Sequence, residues 1–113
     1  MENKLRKIVT NIIDEIGYGF QESIYQKAVY FELKSQSVDV ELEVSKPVYY
    51  NGNLLGKVRL DMIINNKVIV EFKSKETISS RDINQTKRYK FITGIEEAYL
   101  ITICDCNFTV IRV

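Results

Sequence analysis

The segments Arg59-Leu60-Asp61-Met62-Ile63-Ile64 and Val68-Ile69-Val70-Glu71-Phe72-Lys73 place two carboxylates and an ammonium inside otherwise apolar runs. Such runs read as strands, with Asn65-Asn66 as the turn between them. How the strands pair decides the chemistry. A two-residue loop sets Ile64 against Lys67 and Leu60 against Glu71, mixing apolar and charged residues on each face. A three-residue loop, Asn65 to Lys67, sets Ile64 against Val68. One face is then Leu60, Met62, Ile64, Val68, Val70 and Phe72, and the other is Arg59, Asp61, Ile63, Ile69, Glu71 and Lys73. Register follows the face that must be buried, so the three-residue loop is expected. Asp61 and Glu71 become cross-strand neighbours with Cβ atoms roughly 5 Å apart. Facing carboxylates repel unless something compensates. Mg²⁺ does so with one or two carboxylates, filling its other positions with water and phosphate oxygens. Lys73, one pleat along, is placed to stabilise developing negative charge or to orient a water. The plainer alternative is a surface strand whose acids are neutralised by Lys73 and Arg59.

The chain has 113 residues, 45% of them apolar, enough for one domain with a core. No apolar run approaches the ~20 residues needed to span a bilayer, so no membrane is expected as a partner. The start, Met1-Glu2-Asn3-Lys4, lacks the apolar block of a secretory signal, and a cytoplasmic location is the expectation. Net charge is +1, unlike a globally basic nucleic-acid binder, but six Lys or Arg fall between Lys73 and Lys90 against Glu76 and Asp82. With no histidine, the usual catalytic triads are excluded, and catalysis must run on carboxylates, Lys, Tyr or a metal. Cys104 and Cys106, one residue apart, would point to opposite faces of a strand. They are read as reduced, partly buried thiols.

The elements that must position these groups follow from periodicity. Leu5, Ile8, Val9, Ile12, Ile13 and Ile16 recur at helical spacing, ended by Gly17 and Gly19. A second helix from about Gln21 to Ser35 takes its apolar positions from Ile24, Ala28, Phe31 and Leu33. Val38 to Val44 alternate with Asp39, Glu41 and Glu43 as a half-buried strand, and Val48-Tyr49-Tyr50 continues it. Pro47 limits where this region can sit in a central sheet. Asn51-Gly52 signals a hairpin turn into a strand from Leu54 to Ile64. Ser79 or Ser80 caps a helix that Gly94 ends, with Asp82 three residues after Ser79. Strands at Ala98–Ile103 and Asn107–Val113 close the chain. The unit from Val68 to Ile103 should bring two strands together in parallel.

The segment Gly19-Phe20-Gln21-Glu22-Ser23-Ile24-Tyr25 carries Gly-x-x-Glu-x-x-Tyr. With Pro47-Val48-Tyr49-Tyr50, Arg59-Leu60-Asp61, Val68 to Lys73 and Gln85-Thr86-Lys87-Arg88-Tyr89, it resembles the GxxExxY proteins. These look like compact members of the PD-(D/E)XK nuclease superfamily. The resemblance spans nearly the whole chain, though the proline of the superfamily's Pro-Asp pair is Leu60 here. It implies an α/β fold with a mixed central sheet flanked by helices and a restriction-endonuclease-like core, α-β-β-β-α-β, over residues 1–113. Carried over, it makes Asp61 and Glu71 the principal ligands of Mg²⁺ (or Mn²⁺) and Glu22 an accessory carboxylate of that site. Lys73 would position or activate the attacking water. Gln85 and Tyr89 would lean over the site or contact the strand, and Tyr25 would support Glu22.

The function this implies is hydrolysis of phosphodiester bonds in DNA or RNA, with a homodimer expected where two strands are to be cut. One rival is a non-catalytic module that holds nucleic acid through Lys75, Arg81, Lys87, Arg88 and Lys90, against which the intact Asp61, Glu71 and Lys73 count. Another is an interaction protein that assembles through the acidic strand or an open sheet edge.

Overall fold

In the computed structural model, which describes residues 1–113, two helices come first: α1 (Glu2–Ile16) and α2 (Glu22–Ser35). Strands β1 (Val40–Tyr50), β2 (Asn53–Ile64) and β3 (Val68–Lys73) follow, then α3 (Ser80–Thr93), β4 (Glu97–Ile103) and β5 (Phe108–Arg112). The sheet order is β1-β2-β3-β4-β5; only β3 and β4 run parallel. This is the mixed α/β arrangement expected. Pro47 is accommodated because β1 is an edge strand. No helix is long and apolar enough to cross a membrane.

The β2–β3 hairpin has the three-residue loop. Ile64 opposes Val68, and Asn65 and Asn66 take the positive φ values (52° and 55°) that the turn demands and asparagine tolerates. The side chains of Met62, Ile64, Val68, Val70 and Phe72 enter the main core with Leu5, Ile8 and Val9 of α1 and Tyr25, Val29 and Leu33 of α2. A smaller core on the other side of the sheet joins Ile63, Ile69, Ala98 and Tyr89 of α3. Leu60 departs from the expected pattern by packing in this second core, not beside Met62. The cause is a local irregularity. Opposite Asp61, Glu43 adopts φ 54°, uncommon for a residue other than glycine. Across it both strands change sides: Leu42 packs on the first core and Val44 on the second.

Helix α2 is rotated from its expected orientation. Ile24 and Phe31 are exposed, and the buried stripe is Tyr25, Val29 and Leu33 at four-residue spacing. Tyr25 sets the rotation, because its hydroxyl donates to Gly17 O (2.8 Å) and accepts from Phe20 N–H (3.3 Å). The turn it holds needs Gly17 at φ 81°, ψ −178°, a region that only glycine populates freely. At the other helix, Ser79 and Asp82 form a reciprocal capping box and Gly94 ends α3 in the left-handed conformation. Cys104 and Cys106 are free thiols in the β4–β5 turn, so they do not occupy opposite faces of a strand.

Candidate active site

Regular pairing of β2 with β3 runs from Ile64↔Val68 to Met62↔Val70 and stops one step before Asp61 and Glu71. There, side chains replace the backbone ladder. The Asp61 N–H donates to Glu71 Oε2 (3.2 Å), and the Phe72 N–H donates to Asp61 Oδ2 (2.9 Å). Each carboxylate therefore satisfies an amide across the gap, which holds the two acids together where the strands part.

Glu71 is 3% exposed, and its Oε1 is the one buried side-chain polar atom with no hydrogen-bond partner. A buried acceptor left unmade costs about 1–3 kcal/mol, so this atom calls for an explanation. Burial is the largest influence on its carboxyl, followed by the hydrogen bond and charge of Asp61; together they push it up to about 9. The Asp61 amide and the Lys73 ammonium act in the opposite direction without balancing them. Burial and the neighbouring carboxylate thus favour the protonated form of Glu71, and a cation bound beside it would act against both.

Lys73 ends β3, and its Nζ donates to Gln85 Oε1 on α3 (3.0 Å). One turn on, Tyr89 packs against Leu60, Ile63 and Ile69. Its phenol is raised above the usual range by burial and then by the nearby charges of Glu71 and Asp61. Gln85 thus touches Lys73, while Tyr89 is a core residue whose ring lies beside the acidic pair.

Glu22 is the first residue of α2, and its Oε1 accepts from the Ser74 N–H (2.7 Å). With Tyr25, Phe72, Lys73 and Ser74 it lines a small, narrow crevice. Asp61 and Glu71 are brought together by the β2–β3 hairpin, and Glu22 is not gathered with them into one group. No group of three Asp, Glu, Cys or His side chains is assembled that could hold a metal. The Ser74 amide takes the Glu22 carboxylate instead, tying α2 to the chain just past Lys73.

The basic residues proposed for nucleic acid divide as well. Lys75 is paired with Asp82, and Lys90 donates to Val113 O (2.9 Å). Lys87 and Arg88 border a shallow hollow of about 530 Å³ with Asn84, Phe91 and Ile92 on the outer side of α3, away from the carboxylates. Arg59 does not neutralise Asp61. It pairs with Glu43 at 2.7 Å. The amides of Asp61, Phe72 and Ser74 are functional groups that reading side chains could not find. Glu43 was not legible: continued from the Asn51-Gly52 turn, the pairing would set Leu42 against Asp61, and only the register shift between Val48 and Tyr49 brings Glu43 there.

The two carboxylates suit a hard divalent cation. Mg²⁺ takes one or two carboxylates from protein and keeps water and phosphate oxygens elsewhere. The unpartnered Glu71 Oε1, beside the Asp61 carboxylate, is an oxygen available to such an ion.

A family model describing the PD-(D/E)XK nuclease superfamily matches residues 1–113, and the chain belongs to that superfamily. A search of curated proteins returns no match. Among solved structures, the crystal structure of SSO0001 superposes with a TM-score of 0.58 at 18% identity, covering 80% of this chain and 48% of that one. The chain thus spans about half the length of SSO0001, and the likeness concerns the fold.

Proposed function

We propose that this chain is a metal-dependent nuclease of the GxxExxY type, one domain over residues 1–113, hydrolysing phosphodiester bonds in DNA or RNA in the cytoplasm. The observation that carries the reading is the buried Glu71 carboxyl with an unpartnered oxygen, held against Asp61 where β2 and β3 separate. A stabilising core would not place two acids together; a cation site needs them so.

Asp61 and Glu71 would hold Mg²⁺ or Mn²⁺, which when bound supplies charge to stabilise the reacting phosphodiester and to acidify the attacking water. The protein's own groups do the rest. Lys73, steadied by Gln85, orients the water and faces the charge that develops on the phosphoryl oxygens. Glu22 fixes the backbone after Lys73 through Ser74 and acts by positioning. Tyr89 closes the α3 side of the acidic pair against bulk water. A homodimer would supply the second such centre that cutting both strands of a duplex needs.

The test is incubation of the purified chain with labelled single- and double-stranded DNA and RNA in Mg²⁺, in Mn²⁺ and in EDTA. Cleavage in either metal and none in EDTA is the expected result. Tight binding without cleavage of any substrate in either metal would replace this reading with that of a non-catalytic binding module.

A further inference from the structure

The β1–β2 hairpin extends beyond the rest of the sheet. Strand β3 joins β2 only at Met62, so β2 from Asn53 onward to that point pairs with β1 alone. Val44 and Val58 anchor the base of this arm on the α3-side core. Its end is free. Tyr49, Tyr50, Leu54 and Leu55 are 60%, 65%, 58% and 66% exposed. Four large apolar side chains gathered at one exposed tip contribute little to folding and mark a contact surface.

The charge of the arm is one-sided. Between Val44 and Leu60 there are Lys46, Lys57 and Arg59 and no acid, in a chain whose net charge is only +1. Arg59 is spent on Glu43, whereas Lys46 and Lys57 take part in none of the chain's ion pairs. The register distributes the groups evenly. Pro47 opposes Lys57, so Lys57 shares a face with Tyr49; Lys46 opposes Val58 and shares the other face with Tyr50. Each face of the ribbon therefore offers one ammonium and one phenol ring.

Resting on the nuclease reading above, we propose that the β1–β2 arm is a binding platform for single-stranded nucleic acid. Tyr49 and Tyr50 stack on bases, while Lys57 and Lys46 meet phosphates. Strand β2 then leads the bound strand from Lys57 to Asp61, about 13 Å at the usual strand rise. Free ring faces call for unstacked bases, which a duplex conceals and a single strand presents. A second copy of the arm is a poor occupant, because it would bring lysines against lysines across an acid-free surface.

The experiment is fluorescence anisotropy of the full chain in EDTA, which keeps the substrate intact. The probes are fluorescein-labelled oligothymidylate, oligouridylate and a duplex of equal length. Tyr49→Ala and Tyr50→Ala should each weaken single-strand binding about tenfold. Lys46→Gln and Lys57→Gln should each reduce the salt slope of that binding by about 0.7. All four positions lie on the projecting arm, and melting curves close to wild type confirm that the fold is kept. Unchanged single-strand affinity in both tyrosine variants overturns the inference. So does a dimer that these variants dissociate while oligonucleotide binding stays the same. Arm-dependent binding by a chain that never cuts in Mg²⁺ or Mn²⁺ upholds the arm and defeats the catalytic reading. Metal-dependent cutting with arm variants that bind normally does the reverse.

Discussion

The Phe72 amide is hydrogen-bonded to the Asp61 carboxylate at 2.9 Å, across the point where β2 and β3 cease to pair. A side chain does there what backbone carbonyls do where Met62–Ile64 pair with Val68–Val70. Strands that parted there without these bonds would leave amides unmet.

Asp61→Asn tests whether the acidic pair exists for stability or for function. An asparagine oxygen can still accept from Phe72 N–H, while the charge beside Glu71 is removed. In EDTA the melting temperature should equal or exceed that of the wild type, and the stabilisation by Mn²⁺ should shrink or vanish. A fall of about 5 °C or more, equivalent to roughly 1 kcal/mol in a domain of this size, would mark the pair as structural. Differential scanning calorimetry with and without metal decides it.

Tyr25→Phe removes a hydroxyl that serves both Gly17 O and Phe20 N–H but leaves the ring in the core. The expected cost is about 1–2 kcal/mol in urea unfolding, with no change in slope. Because the same turn starts the helix that carries Glu22, cleavage should fall modestly. Unchanged stability would show that the hydroxyl does not hold the turn.

Asp82 gives a pH signature of its own. Burial opposes its ionisation, but the hydrogen bond and charge of Lys75 and the bonds from Ser79 outweigh it and lower the carboxyl from 3.8 to about 2. The folded value lies below the unfolded one, so on acidification the unfolded chain takes up the proton first. The stability this group provides is complete above about 4 and is lost as pH falls towards about 2. Thermal melts across that window should fall more steeply for the wild type than for Asp82→Asn. Parallel curves would contradict the assignment.

Much of this was legible in the sequence for identifiable reasons. The β2–β3 register followed from which face must be buried, and the α3 cap from Ser79 and Asp82. What escaped were effects that no side-chain pattern encodes. Leu60 changes sides because Glu43 takes a positive φ opposite Asp61. Helix α2 turns Ile24 and Phe31 outward because the hydroxyl of Tyr25 is bound to the preceding turn. Glu22 is carried towards Lys73 and held by a backbone amide, so spacing alone could suggest a third carboxylate at the metal but not its actual partner. The arm went unread because its Tyr and Leu residues look like ordinary strand residues until β3 is seen to stop short of them.

The role proposed for Lys73, beside the Asp61–Glu71 pair, is in phosphodiester hydrolysis itself. Its Nζ meets only the exchangeable side chain of Gln85, so alanine there should fold and melt much as the wild type does. The direct measurement is the single-turnover cleavage rate of a labelled oligonucleotide in saturating Mn²⁺, compared between wild type and Lys73→Ala. A measurable wild-type rate is expected, lowered by the variant about 100-fold or more, with the melting temperature retained. Equal rates in the two proteins would contradict it.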